Sequence, residues 1–255
     1  MDDQLMKRRL VAAIACRNQG SRLYGKPVQN LDVDSGTRII DNIISCLQEI
    51  RCIDEIVLGI SKGIENEVFI RIADEKSLRY VIGDEVDVLS RLIACGVLSS
   101  ATDIFRVTSE SPFLFYEPVE DSWKAHQAMV ADATFMDDVI DGCGFEIISL
   151  KALQDSHARG SDQHRSELCT LYIREHPEIF KINKLDAPIE LVRKDLRLTV
   201  DNPEDLTVCR QVYTHFKDQA PMISIAKIVY FLDAHPNLIE LTYPFTEVGY
   251  STMYR

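Results

Sequence analysis

Short apolar runs alternate with stretches of helical periodicity through the first half of the chain. Leu10 to Cys16 is a continuous apolar run of strand length, as expected for a strand covered on both faces. Apolar side chains recur at helical spacing between Ile39 and Leu47, and a second strand-like run extends from Ile53 to Ile60. Further helices are predicted over 65–73 and 86–98, and further strands over 79–82 and 101–108. These alternations predict βαβ units, and therefore a mostly parallel α/β sheet with right-handed crossovers.

The second half of the chain is less regular. Residues 201–216 begin as a helix does, with Pro203 in the first turn and the acidic residues Glu204 and Asp205 after it. The other predicted helices are 117–131, 162–176 and 224–234, the predicted strands are 133–136, 145–148, 179–183 and 196–200, and the tail after Pro236 is expected to be irregular. One α/β domain over residues 1–255, with an irregular insertion in its second half, accounts for the pattern.

Composition and charge narrow the class of protein. The chain has 255 residues, of which 46% are hydrophobic and 27% charged, as in an ordinary globular protein. Its net charge of −12 repels phosphate backbones, so general binding of nucleic acid is not expected. No segment has the roughly 18 apolar residues that a membrane span needs, and we expect no membrane partner.

The N-terminal residues and the cysteines indicate in which cellular compartment the protein is expected. Lys7, Arg8 and Arg9 before the apolar run imitate a signal peptide, but the run is short and no small-x-small cleavage site follows it. A buried first strand is therefore our interpretation. The seven cysteines are scattered singly, which favours reduced thiols in the cytoplasm and no zinc site.

A cation-rich loop follows the first predicted strand. Residues 17–27 contain Arg17, Arg22 and Lys26 together with two glycines that allow close approach of the backbone. In open α/β sheets this is the edge where ligands bind, and such a loop suits a triphosphate. It is not a Walker A loop, because a proline follows Lys26. A solvated loop remains the alternative on these residues alone.

Two carboxylates stand at other strand ends. Glu110 lies in a tight Ser/Pro turn after the strand 101–108, and Asp201 lies where a strand is predicted to give way to a helix. Either carboxylate could bind Mg²⁺, which prefers oxygen ligands. The alternatives are a solvated acid at Glu110 and a helix N-cap at Asp201.

Several segments together resemble one family. Residues 16–26 are similar to its opening motif, Ala-Arg-x-x-Ser-x-Arg-Leu-Pro-Gly-Lys, and residues 106–112 to its Arg-Ile-Thr-Gly-Asp-Cys-Pro. Other matches are at 53–57, 83–91, Asp141-Gly142 with Glu146, 172–178 and 197–206. The chain thus resembles the cytidylyltransferases that activate 3-deoxy-2-keto sugar acids, the CMP-KDO and CMP-acylneuraminate synthetase group, and most closely its members like spore coat polysaccharide biosynthesis protein F.

The resemblance covers nearly the whole chain and implies a fold and a reaction. The fold is a Rossmann-like sheet flanked by helices, of the nucleotide-diphospho-sugar transferase type, with an α+β insertion at about 113–190 through which the family pairs as homodimers. In the reaction, a hydroxyl of a 2-keto-3-deoxy sugar acid, octulosonic or nonulosonic, attacks the α-phosphate of CTP and expels pyrophosphate. The implied partners are CTP and a small anionic sugar acid of cell-surface polysaccharide biosynthesis, with Mg²⁺ as cofactor.

The family's functional positions can be transferred residue by residue. Arg17 and Lys26 match its catalytic residues on the CTP phosphates, and Glu110 and Asp201 match its metal-binding aspartates. Ser21 and Arg22 lie in the same loop, and Gly83, Asp84 and Asp87 are expected near the nucleotide. For the acceptor we expect Glu146, Arg159, His164 and Arg165.

The chain also departs from the family pattern. Glu110 replaces an aspartate, Gly20 a serine and Tyr24 a proline, and residues 167–172 lack the family's His and Pro. A longer carboxylate can shift or weaken a magnesium site, because Mg²⁺ requires near-ideal geometry. Two alternatives therefore stay open: a non-catalytic paralogue that binds a nucleotide or sugar and has a regulatory role, and a nucleotidyltransferase with another acceptor or nucleotide.

Overall fold

A seven-stranded sheet forms the centre of the structure, a computed structural model that describes residues 8–20 and 22–252, with side chains as far as residue 247. The strands of this sheet are β1 (Leu10–Cys16), β4 (Glu55–Ser61), β5 (Arg79–Gly83), β6 (Asp103–Thr108), β7 (Ala133–Phe135), β8 (Glu146–Ser149) and β9 (Ile182–Lys184), and a separate hairpin comprises β2 (Asn30–Asp32) and β3 (Thr37–Arg38). The strand order is β5-β4-β1-β6-β8-β7-β9, and only β8 runs antiparallel to the rest. The mostly parallel α/β fold predicted from the sequence is confirmed.

Helices flank this sheet. They are α1 (Ile39–Glu49), α2 (Glu67–Glu75), α3 (Val88–Leu98), α4 (Val119–Met129), α5 (Leu150–Arg159), α6 (Leu171–Glu175), α7 (Pro203–His215), α8 (Ile225–Asp233) and α9 (Pro236–Thr252). The described part of the chain contains no helix that is both long enough and apolar enough to span a membrane.

Strand β1 lies in the interior of the sheet, between β4 and β6, and its side chains contribute to two hydrophobic cores. Its apolar run is continuous because both faces are covered. Leu10, Ala12 and Ile14 pack into the core that contains α1, α7 and α8, whereas Val11 and Ala13 pack against α3 and α5. The alternation of side chains along a strand thus divides one apolar run between two cores.

The strand register brings several chain segments to one edge of the sheet. Ala15 pairs with both Gly59 of β4 and Thr108 of β6, so the loop after β1 and the turn after β6 emerge side by side. Because β8 is antiparallel, its first residue, Glu146, lies at this edge and pairs with Arg106. The segment 113–190 therefore supplies three strands to the common sheet.

The structure contradicts the predicted helix over 162–176. Residues 162–165 form a single 3-10 turn, and helical structure resumes only in α6. Between them the carbonyl oxygen of Glu167 accepts a 2.9 Å hydrogen bond from Arg106, and Thr170 donates its hydroxyl to Glu146 at 2.7 Å. Contacts with the sheet edge thus replace a helical hydrogen-bond ladder.

The predicted strand over 196–200 is also wrong. Its N–H groups bond to two loops: Leu198 donates to the carbonyl of Asp141 at 2.8 Å, and Val200 to the carbonyl of Glu110 at 3.1 Å. The burial pattern resembles that of a strand because both sides of this segment are covered. The sequence analysis also missed α5, whose buried face consists of only Ala152, Leu153 and Ser156.

The tail from Pro236 as far as residue 252 is helical, not irregular as predicted. Pro236 occupies the first position of α9, where the missing N–H is not needed and the fixed backbone angle suits a helix. Proline therefore begins this helix instead of preventing it.

A buried polar cluster at the opposite edge of the sheet generates a prediction about stability. Asp103 is fully buried, accepts from Arg8 Nε at 2.8 Å and contacts His126 Nε2 at 3.1 Å. Burial acts to raise the pKa of Asp103, but hydrogen bonds from His126, Arg8 and Thr102 hold it below the ordinary value. We expect Asp103→Asn to lower the free energy of unfolding at pH 7 by about 3 kcal/mol, because the Arg8 and His126 side chains lose their charged partner.

The lowered pKa fixes how this effect depends on pH. Asp103 contributes its stability above its unfolded-state pKa and loses that contribution as the pH falls through its lower folded-state pKa. The difference in the free energy of unfolding between wild type and Asp103→Asn, measured by urea unfolding, should therefore become smaller below about pH 4. Asp121→Asn is the control, because the pair of Asp121 with Lys124 is exposed. A difference in unfolding free energy that stays constant down to pH 2.5 would contradict the lowered pKa of Asp103.

Candidate functional site

A cavity of about 370 Å³ opens at the edge of the sheet where β1 and β6 end. Its walls are the loop 17–27, the start of α3, the turn after β6, and two single residues, Glu167 and Asp201. These segments come from distant parts of the chain, and the parallel register of β1 and β6 brings the loop after β1 next to the turn after β6.

The loop after β1 is folded back on itself by backbone hydrogen bonds. Gly25 adopts a left-handed conformation, with φ of 63°, and donates its N–H to the carbonyl of Asn18 at 2.9 Å. A Cβ atom on Gly20 would collide with the carbonyl oxygen of Leu23. Glycine at these two positions therefore permits a tight loop, which turns Arg22 and Lys26 towards the cavity.

Asp201 is the point where the cations of this loop converge. Its Oδ1 accepts from Lys26 Nζ at 2.5 Å and lies 3.2 Å from Arg22 Nη2, while its Oδ2 contacts Arg197. Burial acts to raise the pKa of Asp201, but Lys26, Arg197 and Arg22 hold it below the ordinary value. The side chain is therefore a carboxylate at neutral pH.

Arg197 holds three carboxylates beneath the cavity. Its guanidinium is 1% exposed and contacts Asp141 at 2.8 Å, Asp205 at 3.1 Å, and Asp201. Asp205 in turn caps α7, since its Oδ2 accepts from the backbone N–H of Asp201 at 2.9 Å and of Asn202 at 2.8 Å. One buried arginine thus links the start of α7 to the loop at Asp141.

Glu110 lies on the same side of the cavity as Asp201. Its side chain accepts from Ser109 Oγ at 3.1 Å, and its carbonyl oxygen accepts from the N–H of Val200, immediately before Asp201. Burial raises the pKa of Glu110, the Lys26 ammonium lowers it, and the Asp201 carboxylate raises it further. The Asp201 carboxylate therefore affects the pKa of Glu110, and the Lys26 ammonium lowers the pKa of both.

The donor set at this point fits a hard cation only in part. Within the described ranges, no group of three or more His, Cys, Asp or Glu side chains is placed to hold a metal ion. Magnesium, however, is commonly held by one or two carboxylates together with substrate phosphates. Glu110 and Asp201 supply two such carboxylates beside a loop suited to phosphates.

A second cavity, of about 530 Å³, adjoins the first. The two share Arg106, Val107, Thr108 and Glu167 as lining residues. Its remaining walls are mainly the segment 136–146 together with Arg174, Lys194 and Thr199.

An ion-pair network lies in the second cavity and reaches the first through Arg106, which lines both. Glu146 accepts from Arg106 Nη1 at 2.5 Å and from Arg174 Nη2 at 2.9 Å. Burial acts to raise the pKa of Glu146, but these two arginines hold it below the ordinary value. On the side of the first cavity, Arg17 forms an ion pair with Glu167.

The structure brings together most of the residues predicted for phosphate and metal. Five of them line the first cavity: Arg17, Arg22, Lys26, Glu110 and Asp201. Ser21 lies outside the described residues. Among the residues predicted for the acceptor, Glu146 lines the second cavity.

The other predicted acceptor residues line neither cavity. Arg159 is exposed at the end of α5, and Arg165 donates to the carbonyl of His157 at 3.1 Å. His164 is buried and contacts Glu175 Oε2 at 2.9 Å. Their assignment to the acceptor is not supported by proximity.

Gly83, Asp84 and Asp87, which were predicted near the nucleotide, do not line the first cavity, but two of them contact Arg91, which does. Asp84 and Glu85 accept from Arg91 Nη1 through their carbonyl oxygens, and a Cβ on Gly83 would lie 2.7 Å from Arg91 Cγ. Asp87 caps α3 by accepting from Ser90 N at 2.8 Å. Arg91, and not these three residues, lines the first cavity.

The sequence analysis missed several functional candidates. Arg91, Arg106, Arg174 and Arg197 all lie in segments that match the family, but the analysis assigned them no role. The sequence feature that could have identified them is an arginine within a run of apolar residues, as at Arg197 between Leu196 and Leu198. A buried guanidinium needs carboxylate partners, so such a position predicts an ion-pair network.

Comparison with known proteins agrees with the motifs. The chain is 24% identical over 229 residues to spore coat polysaccharide biosynthesis protein SpsF of Bacillus subtilis, which covers 88% of this chain and 94% of that protein. It is also 24% identical over 231 residues to an uncharacterized protein of Methanocaldococcus jannaschii, and the match covers 90% of this chain and 93% of that protein. No protein-family model matches. The predicted resemblance to SpsF-like proteins is confirmed.

Solved structures share the fold. A cytidylyltransferase from Leptospira borgpetersenii superposes with a TM-score of 0.79 at 18% identity, covering 92% of this chain and 97% of its own. A CMP:2-keto-3-deoxy-manno-octonic acid synthetase in complex with CTP gives a TM-score of 0.59 at 13% identity, covering 81% and 99%. The fold is therefore that of cytidylyltransferases and related nucleotidyltransferases, as predicted.

The role of Arg197 can be tested through stability. We expect Arg197→Lys to lower the free energy of unfolding by about 3 kcal/mol, because one ammonium cannot satisfy three buried carboxylates arranged around a planar guanidinium. Urea unfolding followed by circular dichroism measures the loss. Arg79→Lys is the control, since Arg79 is half-exposed and pairs only with Glu55 among the described carboxylates. Equal losses in both variants would show that Arg197 has no special structural role.

Proposed function

We propose that the protein is a Mg²⁺-dependent cytidylyltransferase that transfers CMP from CTP to a 2-keto-3-deoxy sugar acid and releases pyrophosphate, for cell-surface polysaccharide biosynthesis. The observation that carries this proposal is the convergence of Arg17, Arg22 and Lys26 with the carboxylates of Glu110 and Asp201 on one cavity. A second cavity beside it leaves room for an acceptor.

The loop cations fit a triphosphate. Lys26 and Arg22 both contact Asp201, and on binding they would exchange part of this contact for phosphate oxygens. Arg17 stands at the boundary with the second cavity through its ion pair with Glu167. Little covalent chemistry is required of the protein, because positioning and charge neutralisation provide most of the catalysis in phosphoryl and nucleotidyl transfer.

Glu110 and Asp201 would hold the magnesium ion. When bound, Mg²⁺ would neutralise charge on the triphosphate and orient it for attack. The protein contributes the orientation of Asp201, whose two oxygens are divided between Lys26 and Arg197. It also fixes Glu110 through the backbone hydrogen bond to Val200.

The acceptor hydroxyl would approach from the second cavity. Arg106, Thr108 and Glu167 line both cavities, so groups bound in one lie next to groups bound in the other. Proximity of two reactants in fixed orientation is itself a large contribution to rate.

The oligomeric state and the cellular location of the protein are proposed on the sequence alone. We retain a homodimer formed through the segment at about 113–190 and a cytoplasmic location as predictions. The seven free cysteines are compatible with a reducing environment.

A nucleotidyltransferase with another acceptor is the second candidate. It is favoured by Glu167 and Leu168, which line the second cavity within the segment that lacks the family's His and Pro. Pyrophosphate release with sugar acids, sugar phosphates and neutral sugars as acceptors separates the two candidates.

The proposal predicts a catalytic role for Lys26. We expect Lys26→Ala to reduce kcat/KM for CTP about a hundredfold, the typical effect of removing one group that stabilises transition-state charge. Pyrophosphate release with CTP, Mg²⁺ and a panel of eight- and nine-carbon sugar acids measures the effect.

The matched control is Lys124→Ala, which removes an exposed ammonium paired with Asp121 on α4. This variant should retain wild-type activity. A loss of less than threefold in Lys26→Ala would show that the loop does not act on the triphosphate. Wild-type protein that binds CTP but releases no pyrophosphate with any acceptor would favour a non-catalytic paralogue.

A further inference from the structure

The charged groups of the second cavity differ in whether they already have partners. Both arginines that line it are held by Glu146, Arg106 at 2.5 Å and Arg174 at 2.9 Å, and Arg174 also contacts Asp137 at 2.8 Å. Their positive charge is thus offset within the protein. A guanidinium that is compensated in this way contributes shape and hydrogen bonds to a site, but little net attraction for an anion.

Lys194 is different. It lines the same cavity, its side chain is exposed, and it forms no ion pair with any carboxylate in the part of the chain that the structure describes. Asp138 lines the cavity too and, over the same described ranges, has no ion pair. The cavity therefore offers one uncompensated cation and one uncompensated carboxylate to a ligand.

The backbone around Lys194 is held in place on both sides. Arg193 donates to Asp195 at 2.7 Å and to Asp233 of α8 at 2.8 Å. Leu196 is buried in the core, and Arg197 holds the carboxylates beneath the cavity. A lysine between such anchors projects from a fixed base, which reduces the conformational entropy lost when its ammonium binds a ligand.

We infer that Lys194 binds the anionic group of the acceptor, a sugar carboxylate, and so determines specificity for acidic over neutral sugars. This inference rests on the proposed function and assigns the anion to a residue outside the family's matched positions. Asp138 would accept hydrogen bonds from hydroxyl groups of the same sugar, as carboxylates do. Arg159 and Arg165, expected from the sequence to meet the anion, do not line the cavity.

Calorimetry of acceptor binding, with CMP present, tests the inference independently of turnover. The probes are 2-keto-3-deoxy-manno-octonic acid, its analogue with the carboxyl reduced to an alcohol, and a hexose phosphate. Loss of one charge-assisted hydrogen bond predicts that Lys194→Met weakens binding of the acid about tenfold or more. Binding of the alcohol should be the same in both proteins, and Lys194→Arg should restore most of the affinity for the acid.

Lys181→Met, which removes an exposed ammonium that does not line the cavity, is the matched control and should bind the acid normally. Equal binding of the acid by wild type and Lys194→Met would overturn the inference, as would failure of wild type to bind any acidic sugar. Tighter binding of the hexose phosphate than of the acid would overturn the carboxylate assignment. If wild type binds the acid, CTP binding by the same sample would leave the proposed function standing, whereas a protein that binds CTP but no acidic sugar would favour a nucleotidyltransferase with another acceptor. Absence of CTP binding would count against the proposed function itself.

Discussion

The buried ion cluster of Arg197 is the interaction on which the site depends. One guanidinium connects Asp141 in the loop before β8, Asp201 at the cavity, and Asp205 in the first turn of α7. Burial raises the pKa of Asp141 to about 6 although Arg197 acts to lower it, and the nearby carboxylates of Asp201, Asp205 and Glu110 raise it further. Three carboxylates therefore share one guanidinium, and the cluster carries more negative charge than Arg197 balances. Lys26 supplies further positive charge from the loop after β1. Carboxylates beside a cation-rich loop suit the proposed metal-bound triphosphate, because carboxylates can hold the metal and the loop cations can contact the phosphates.

The antiparallel direction of β8 places an ion pair next to both cavities. Because β8 runs antiparallel to β6, Glu146 pairs in register with Arg106 at the edge where ligands bind. The pair fixes Arg106, whose guanidinium also binds the carbonyl of Glu167 and so holds the irregular segment 166–170 over the site. Arg106 and Glu167 line both cavities, so this contact lies where the two cavities adjoin.

Much of this arrangement could be predicted from sequence, and the remainder could not for identifiable reasons. The apolar run of β1 and the Asp201–Asp205 start of α7 have strong local signals, and both were predicted correctly. Helix α5 escaped prediction because only a narrow face is buried, and residues 196–200 imitate a strand because both sides are covered. Partners such as Arg197 and Asp141 are distant in sequence, so no local pattern reveals them.

The proposed function requires that the first cavity bind CTP together with a divalent metal. Titration calorimetry with CTP, ATP, GTP and UTP, each with and without Mg²⁺, measures this binding. We expect selective binding of CTP that Mg²⁺ strengthens, because Glu110 and Asp201 lie beside the loop cations. Binding of none of the four nucleotides, or CTP binding that Mg²⁺ leaves unchanged, would contradict it.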